Sequence, residues 1–378
     1  LGVSVGDKLL IAFADFIRSF EVGVIASRDY ADCIMTLSFT DSKEAAYQII
    51  QASNKSFCEE QNKLYPEINI QLSSGIYLFN PKDRDINAGI DNANIARKLI
   101  KREKMHGVSV FETYMLDEIK HQSKIITDFK KALKQKEFLL YLQPQINIEN
   151  GSVFGAEALV RWQKKDGQFI YPNDFIPVLE KSGDIVELDF YMLERVLQFL
   201  VKWKKSGVAI FPISVNFSRL HLFNPDFGKK VLDRIRKYEI DPQYIDIEIT
   251  ESVFVKDYER VVNNIEEIRR NGITVSIDDF GTGYSSLNVL TKVTVDSIKI
   301  DKSFLAHAEK DYATRSIVEY TIDLAQKLNM GIICEGVETE SQLDLIKTAN
   351  CKVVQGYYFD KPIDQDLFEN KYMENLLK

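Results

Sequence analysis

The feature that most constrains this chain is a repeated alternation. From about residue 138 onward, short apolar runs of strand length are separated by segments with helical spacing of apolar residues. The runs lie at 138–146, 156–161, 211–216, 245–250, 274–279, 297–301, 331–335 and 352–356, with helices of good period at 191–205, 258–271, 312–328 and 340–348 between them. Strand and helix alternating over roughly 240 residues predict a mostly parallel sheet, and the length and strand number favour a closed barrel over an open sheet.

The remaining chain divides around that block. With 378 residues and roughly 150 residues per domain, two domains are expected. Residues 1–113 predict a smaller α/β domain, with helices at 8–20, 42–64 and 90–104 and strands at 22–27, 33–38, 69–79 and 107–112. Residues 114–135 are helical, charged and free of Gly and Pro, which suits a helical linker, and the second domain occupies 136–378.

Composition excludes several function classes. There are 48 Lys and Arg against 56 Asp and Glu, a formal charge of −8. An acidic chain lacks the basic face that a DNA or RNA backbone needs, although a small phosphate ligand needs only local positive charge. Four widely spaced cysteines without a CxxC predict reduced thiols. Four histidines, none paired at i, i+4, make zinc a poor fit, so any metal is expected to be a hard cation held by oxygen. No apolar run reaches the ~18 residues of a membrane span, and 9–25 is broken by Asp15, Arg18 and Glu21. No secretory leader pattern is present. A cytoplasmic chain without membrane contact of its own is expected; a sensor or membrane segment further upstream is compatible with that.

The strands of the second domain carry charged or amide residues near their ends: Glu157 and Arg161, Asn216, Glu248 with Glu251, Asp278 with Asp279, Lys299 with Asp301, Glu335, and Gln355. One such residue is ordinarily a helix cap or a surface charge. Repeated on seven strands of a parallel barrel, they converge on the face where sites of this architecture lie. Several carboxylates placed together repel one another unless a cation neutralises them, and Glu, Asp and Asn oxygens suit magnesium or manganese. The adjacent pair Asp278 and Asp279 can splay toward two ions, and Lys299 can hold a water or a developing charge, which points to metal-assisted phosphoester hydrolysis. The loop Asp279-Phe280-Gly281-Thr282-Gly283-Tyr284 leads into a helix behind this pair, and Glu251 is placed to anchor it.

These residues carry a resemblance. Glu157-Ala158-Leu159 within 155–162, Tyr141-Leu142-Gln143-Pro144, Ser214-Val215-Asn216, Glu248-Ile249-Thr250-Glu251, the 278–287 loop, Lys299-Ile300-Asp301, Glu335-Gly336-Val337-Glu338 and Gln355-Gly356-Tyr357 resemble, in order, the motifs of EAL-domain cyclic di-GMP phosphodiesterases. The resemblance implies a TIM-barrel-like (β/α)8 domain that hydrolyses cyclic di-GMP to linear pGpG with two Mg2+ or Mn2+ ions. It assigns Glu157, Asn216, Glu248, Asp278 and Asp279 to the metals and Lys299 to the attacking water. Glu335 becomes the base or water-orienting group. Gln143, Leu159, Arg161 and Gln355 are assigned to the ligand, with Glu251, Asp301 and Glu338 in support around the loop and site. It also implies a homodimer through this domain, with 286–293 a candidate contact. No ligand position is missing, which favours an enzyme over the alternative of a non-hydrolysing cyclic di-GMP receptor or scaffold.

The first domain resembles a degenerate GGDEF-type diguanylate cyclase domain whose start is truncated. Gly2 to Leu10, with its Gly6-Asp7, and 92–112 carry that likeness. Where the signature turn should stand, the chain has Tyr30-Ala31-Asp32-Cys33-Ile34. Glycines that would let backbone amides approach a phosphate are replaced, and a carboxylate gives way to Cys33. The feedback site expected just upstream of the turn is replaced by Glu21-Val22-Gly23-Val24. No cyclase activity is expected; Asp7 is either a guanine contact or a helix-start residue.

Overall fold

The computed structural model describes residues 3–19, 25–29, 31–80, 83–102, 107–255, 258–281, 290, 293–309 and 311–372. The chain divides into two compact units, Leu1–Ser123 and Lys124–Lys378. The helix Tyr114–Gln135 spans that division.

In the first unit, helix Val3–Arg18 precedes the hairpin of β1 (Ile25–Arg28) and β2 (Ile34–Leu37). Helix Lys43–Leu64, β3 (Ser73–Ile76), helix Ile86–Arg102 and β4 (Gly107–Val110) follow. Ser42 caps the first of these helices by accepting the Ala45 N–H. Among the described residues the four strands form two separate two-stranded sheets, β1–β2 antiparallel and β3–β4 parallel. The strand expected over 69–79 is shorter, Ser73–Ile76. A small core of Ala46, Ile76 and Val108 lies between β3, β4 and helix Lys43–Leu64. The segments 21–24 and Tyr30 lie outside the described residues.

The second unit is a barrel. Its strands are β5 (Phe138–Asn147), β6 (Val153–Gln163), β7 (Phe169–Ile170), β8 (Ile213–Asn216), β9 (Ile245–Thr250), β10 (Thr274–Phe280), β11 (Ser297–Ile300), β12 (Gly331–Cys334), β13 (Val353–Gln355) and β14 (Ile363–Asp364). The ladder runs β5, β13, β12, β11, β10, β9, β8, β6, and β6 pairs back onto β5, closing eight strands into a ring. β7 and β14 are short additions to β6 and β5.

One strand departs from a pure (β/α)8 pattern. β5 is antiparallel to both neighbours, β6 and β13, whereas the other barrel pairs are parallel. The cause is the short connection. Only residues 148–152 separate β5 from β6, and a parallel pairing needs a crossover of about a dozen residues or more.

Alternation within the strands sets the two faces of the barrel wall. Ile213, Val215, Ile245, Ile247, Ile249, Val275, Ile277, Ile298 and Ile300 are all 2% exposed or less and belong to one continuous apolar core with the surrounding helices. The intervening Ser214, Asp246, Glu248, Ser276 and Lys299 point the other way and meet inside the barrel. A period of two thus sends aliphatic groups under the helices and polar groups into the barrel interior. Helix Ile185–Lys205 supplies a long apolar stripe from Leu188 to Trp203, and Pro172 opens the preceding helix at a position where a missing N–H is tolerated.

Trp162 anchors the closure of β5 on β6. It is fully buried, its ring lies 4.8 Å from Phe138 and 5.5 Å from Phe175, and Nε1 donates to Glu137 Oε2 at 3.1 Å. Trp162→Ala is expected to destabilise the second unit by about 3–5 kcal/mol, read as a lowered urea midpoint, with the first unit's transition unmoved.

Candidate active site

Four carboxylates from strands or strand ends converge on one lysine. Lys299, on β11 and fully buried, places Nζ 2.7 Å from Glu335 Oε1, 2.9 Å from Glu248 Oε2, and 3.3 Å from both Glu157 Oε2 and Asp278 Oδ1. Glu157 also accepts from Asn216 Nδ2 at 2.8 Å and from Gln355 Nε2 at 2.5 Å. The structure therefore brings Glu157, Asn216, Glu248, Asp278, Lys299, Glu335 and Gln355 together.

Local geometry explains how each carboxylate arrives. Neighbouring strand residues normally point to opposite faces, so an Asp-Asp pair should split. In β10 the register against β11 shifts between Ile277 and Phe280, and Asp279 takes φ +53°. This bulge breaks the alternation and lets Asp279 remain within the field of Asp278, Lys299 and Glu157. Glu335 follows β12, and Gly336 after it has φ +68° with Lys302 so close that a Cβ would stand 2.1 Å from that lysine's own Cβ. At Gly356 a Cβ would stand 2.1 Å from the Val337 carbonyl oxygen. The loops after β12 and β13 interlock there, with Val337 N–H donating to Gln355 O and Tyr358 N–H to Val337 O. Both glycines are thus required by close backbone approach beside Glu335 and Gln355.

The electrostatics are lopsided. Burial opposes the charge on Lys299, but Asp278, Glu157, Glu248 and Glu335 outweigh it and hold the ammonium well above its ordinary range. Burial would also raise Glu157, yet Lys299, Gln355 and Asn216 bring it below the usual carboxylate value. Glu248 is pushed well above that value, by burial first and with Lys299 opposing. Glu335 rises to about 8 through burial, and Asp279 to about 6 through burial and the neighbouring Asp278. The two glutamates differ because neutral donors reach Glu157, whereas neither oxygen of Glu248 accepts a hydrogen bond.

That deficit bears on cations. Glu248 Oε1 and Oε2, Asp278 Oδ1 and Lys299 Nζ are buried without a partner in hydrogen-bonding geometry, despite the short ion-pair distances. Among the described residues no three His, Cys, Asp or Glu groups are drawn around one point as a ready metal cage; the Lys299 ammonium stands amid the carboxylates instead. The donor set is nonetheless all hard oxygen with excess negative charge, which fits a divalent cation such as Mg2+ or Mn2+.

The other expected site residues fall into two groups. Glu251 Oε2 accepts the Gly281 N–H at 3.2 Å, at the start of the loop behind the acidic pair; residues 282–289 lie outside the described residues, as does most of the candidate contact 286–293. Arg161 is half-buried, lies 5.5 Å over the Tyr141 ring, donates to the Val160 carbonyl and stands within the field of Glu157. Leu159 is half-buried on β6 opposite Tyr141. Gln143 is buried in an amide chain, accepting from Gln355 and donating to Asp360 O. Asp301 caps helix Lys302–Ala308 by accepting the Ser303 N–H, and Glu338 is exposed, its N–H bound to Gln342 Oε1. Neither Asp301 nor Glu338 is drawn to Lys299.

Sequence reasoning missed the layer beneath. Asp246 is buried and accepts from Ser214 Oγ at 3.0 Å and Ser276 Oγ at 2.7 Å, while Ser276 meets Ser297 at 2.5 Å. Gln145 donates to Gln355 Oε1 at 3.2 Å. The signal was available in the strands: Asp246 stands two residues before Glu248, and Ser276 two before Asp278, on the same face.

Comparison with known proteins places this geometry in a family. The EAL domain model matches residues 126–362, and the chain belongs to the EAL domain family. Over 367 residues it is 28% identical to MucR of Pseudomonas aeruginosa, a bifunctional diguanylate cyclase/cyclic di-GMP phosphodiesterase; the match covers 96% of this chain and 53% of MucR. Over 234 residues it is 35% identical to PdeG of Escherichia coli, a probable cyclic di-GMP phosphodiesterase, covering 62% of this chain and 46% of PdeG. The chain spans about half the length of these curated relatives. The structure of the PaMucR phosphodiesterase in complex with c-di-GMP matches with a TM-score of 0.62 at 31% identity, over 65% of this chain and 99% of that one.

A pH dependence follows from Glu335. Its carboxyl rises from an ordinary 4.5 to about 8, so between those values the folded state binds a proton that the unfolded state has released. Stability contributed by this group is complete below about pH 4.5 and is lost as pH rises toward about 8. With EDTA present, urea midpoints measured from pH 5 to pH 8 should fall with rising pH, and Glu335→Gln should flatten that fall.

Proposed function

We propose that this chain hydrolyses cyclic di-GMP to linear pGpG. The observation that carries the reading is the cluster itself: four carboxylates from four strands or strand ends within 3.3 Å of one buried ammonium, with both Glu248 oxygens and Asp278 Oδ1 left without hydrogen-bond donors. Family membership and the cyclic di-GMP bound in the PaMucR structure support the choice of substrate.

Glu157, Asn216, Glu248, Asp278 and Asp279 are the residues that would hold two divalent cations, Mg2+ or Mn2+. Such ions, when bound, supply the positive charge that steadies the attacking and leaving oxygens of an in-line phosphoryl displacement. Lys299 orients the attacking water and offsets developing negative charge. With the cations in place Glu335 would be ionised, and its Oε1 accepts that water's proton as the new P–O bond forms; the P–O bond to the ribose oxygen breaks, and that oxygen takes its proton from solvent water. One water is consumed and one phosphodiester bond is opened. Gln355 and Asn216 fix Glu157 by donating to its two oxygens. Arg161, propped on Tyr141, grips a ligand phosphate, while Leu159 and Gln143 shape the wall beside it.

The first unit is a GGDEF-like module without cyclase chemistry that regulates or supports the barrel, with the helix 114–135 as linker. Support comes from the MucR match, which extends over it, and from its turn. Ala31 takes φ +45°, and Arg28 donates to its carbonyl, so a methyl-bearing residue fills a conformation that favours glycine. A homodimer through the barrel unit and a cytoplasmic setting belong to the same reading. No described helix is long and apolar enough to cross a membrane.

Incubated with cyclic di-GMP and Mn2+, the chain should yield pGpG by chromatography, and Glu157→Ala should lower the rate by about 10²-fold or more, comparable to losing one preorganised electrostatic group. Binding without turnover in the parent would instead make the chain a receptor. With GTP alone no cyclic di-GMP should form, and its appearance would contradict the account of the first unit.

A further inference from the structure

The turn that follows Asn216 is held by side chains of neighbouring helices that take no part in the chemistry above, Asp189 and Asn264 among them buried. Asp189, buried on helix Ile185–Lys205, accepts the Ser218 N–H at 2.9 Å and pairs with His221 Nε2 at 3.0 Å. Ser218 Oγ donates to Glu180 Oε1 at 2.8 Å. From the opposite side Asn264, on helix Tyr258–Arg270, donates to Leu222 O at 2.8 Å and Asn224 O at 3.2 Å.

His221 is 2% exposed, and the rings of Phe190, Phe217 and Phe227 each lie 4.9 Å from it. A carboxylate beside such a cage is costly unless donors reach it. Burial pushes the Asp189 carboxyl up, and His221 and the Ser218 N–H oppose that. An ionised Asp189 only accepts, so Nε2 of His221 carries the hydrogen. Hydrogen bonds to a buried charge are stronger than those between neutral groups, and two of them converge on Asp189 Oδ2 from this short turn.

Asn216 leads directly into this turn. It ends β8 and stands opposite Glu248 in the ladder, and its Nδ2 donates to Glu157 Oε1. One side of Asn216 is fixed by the sheet. The other side is fixed by Phe217, whose N–H donates to Glu248 O, and by Ser218 on Asp189.

We propose that Asp189 and His221 are positioning residues that set the Asn216 amide against Glu157 and thereby the cation affinity of that corner of the site. The inference rests on the cation-binding reading under the proposed function. It puts part of the site's affinity in a hydrogen bond under the helices, away from the barrel mouth.

A double-mutant cycle on the full chain tests it, with Mn2+ affinity read by titration calorimetry and folding by thermal melting. His221→Phe keeps the aromatic packing and removes the donor, and should weaken Mn2+ binding about tenfold, the effect of losing roughly one hydrogen bond. In the Asn216→Ala background the same change should leave Mn2+ affinity within about twofold, because the residue it acts through is gone. His221→Gln, which can donate to Asp189, should recover most of the parent affinity. Unchanged affinity in His221→Phe, a second full loss in the Asn216→Ala background, or no recovery with Gln would overturn the inference alone. A parent chain that takes up no Mn2+ would overturn the proposed function and this inference with it.

Discussion

A single buried cation organises the barrel mouth. Lys299 is fully enclosed, and an ammonium in that position is tolerable only because Glu157, Glu248, Asp278 and Glu335 surround it. Those carboxylates are in turn tolerable only because of the lysine and whatever further positive charge the site takes up. The balance is incomplete: Glu335 sits at about 8 and neither Glu248 oxygen has a hydrogen-bond donor. An excess of buried negative oxygen is what a hard divalent cation requires.

The scaffold meets that requirement through the two-residue period of its strands. Ile245, Ile247 and Ile249 pack outward, while Asp246 and Glu248 between them enter the barrel. The same division appears in β8, β10 and β11. Apolar burial under the helices provides the stability, and the polar face fills the barrel interior at two depths, with Asp246 and its serines in one layer and the Lys299 cluster in the other. At β10 strict alternation would have separated the two aspartates, and a bulge with Asp279 in the left-handed region replaces it.

Much of this was legible in the sequence because apolar runs separated by helical periods report a barrel directly. The strand-end residues were found by the same reading, since a charge at the end of an aliphatic run stands out. Three things were not legible. The antiparallel β5 depends on the short 148–152 connection, which reads as an ordinary loop when helices are being sought. Gln145, Ser214 and Asp246 sit inside the runs, where a polar residue looks like an interruption of a strand; only pairing across strands gives each its partner. Asp189 and His221 are far apart in sequence and lie on helical elements, and no local pattern links either of them to Asn216. In the first unit, helix positions followed periodicity to within a few residues, but among the described residues the strands are short and pair two by two, because pairing depends on distant partners rather than on local sequence.

The central claim is that the ring of carboxylates around Lys299 is a two-cation phosphodiester site. Crystals of the chain grown with Mn2+ and examined by anomalous diffraction test it most directly. The account predicts two manganese peaks, one among Glu157, Asn216, Glu248 and Asp278 and the other shared by Asp278 and Asp279. Saturating Mn2+ with no peak at these side chains, and Lys299 still seated among the four carboxylates, would contradict it.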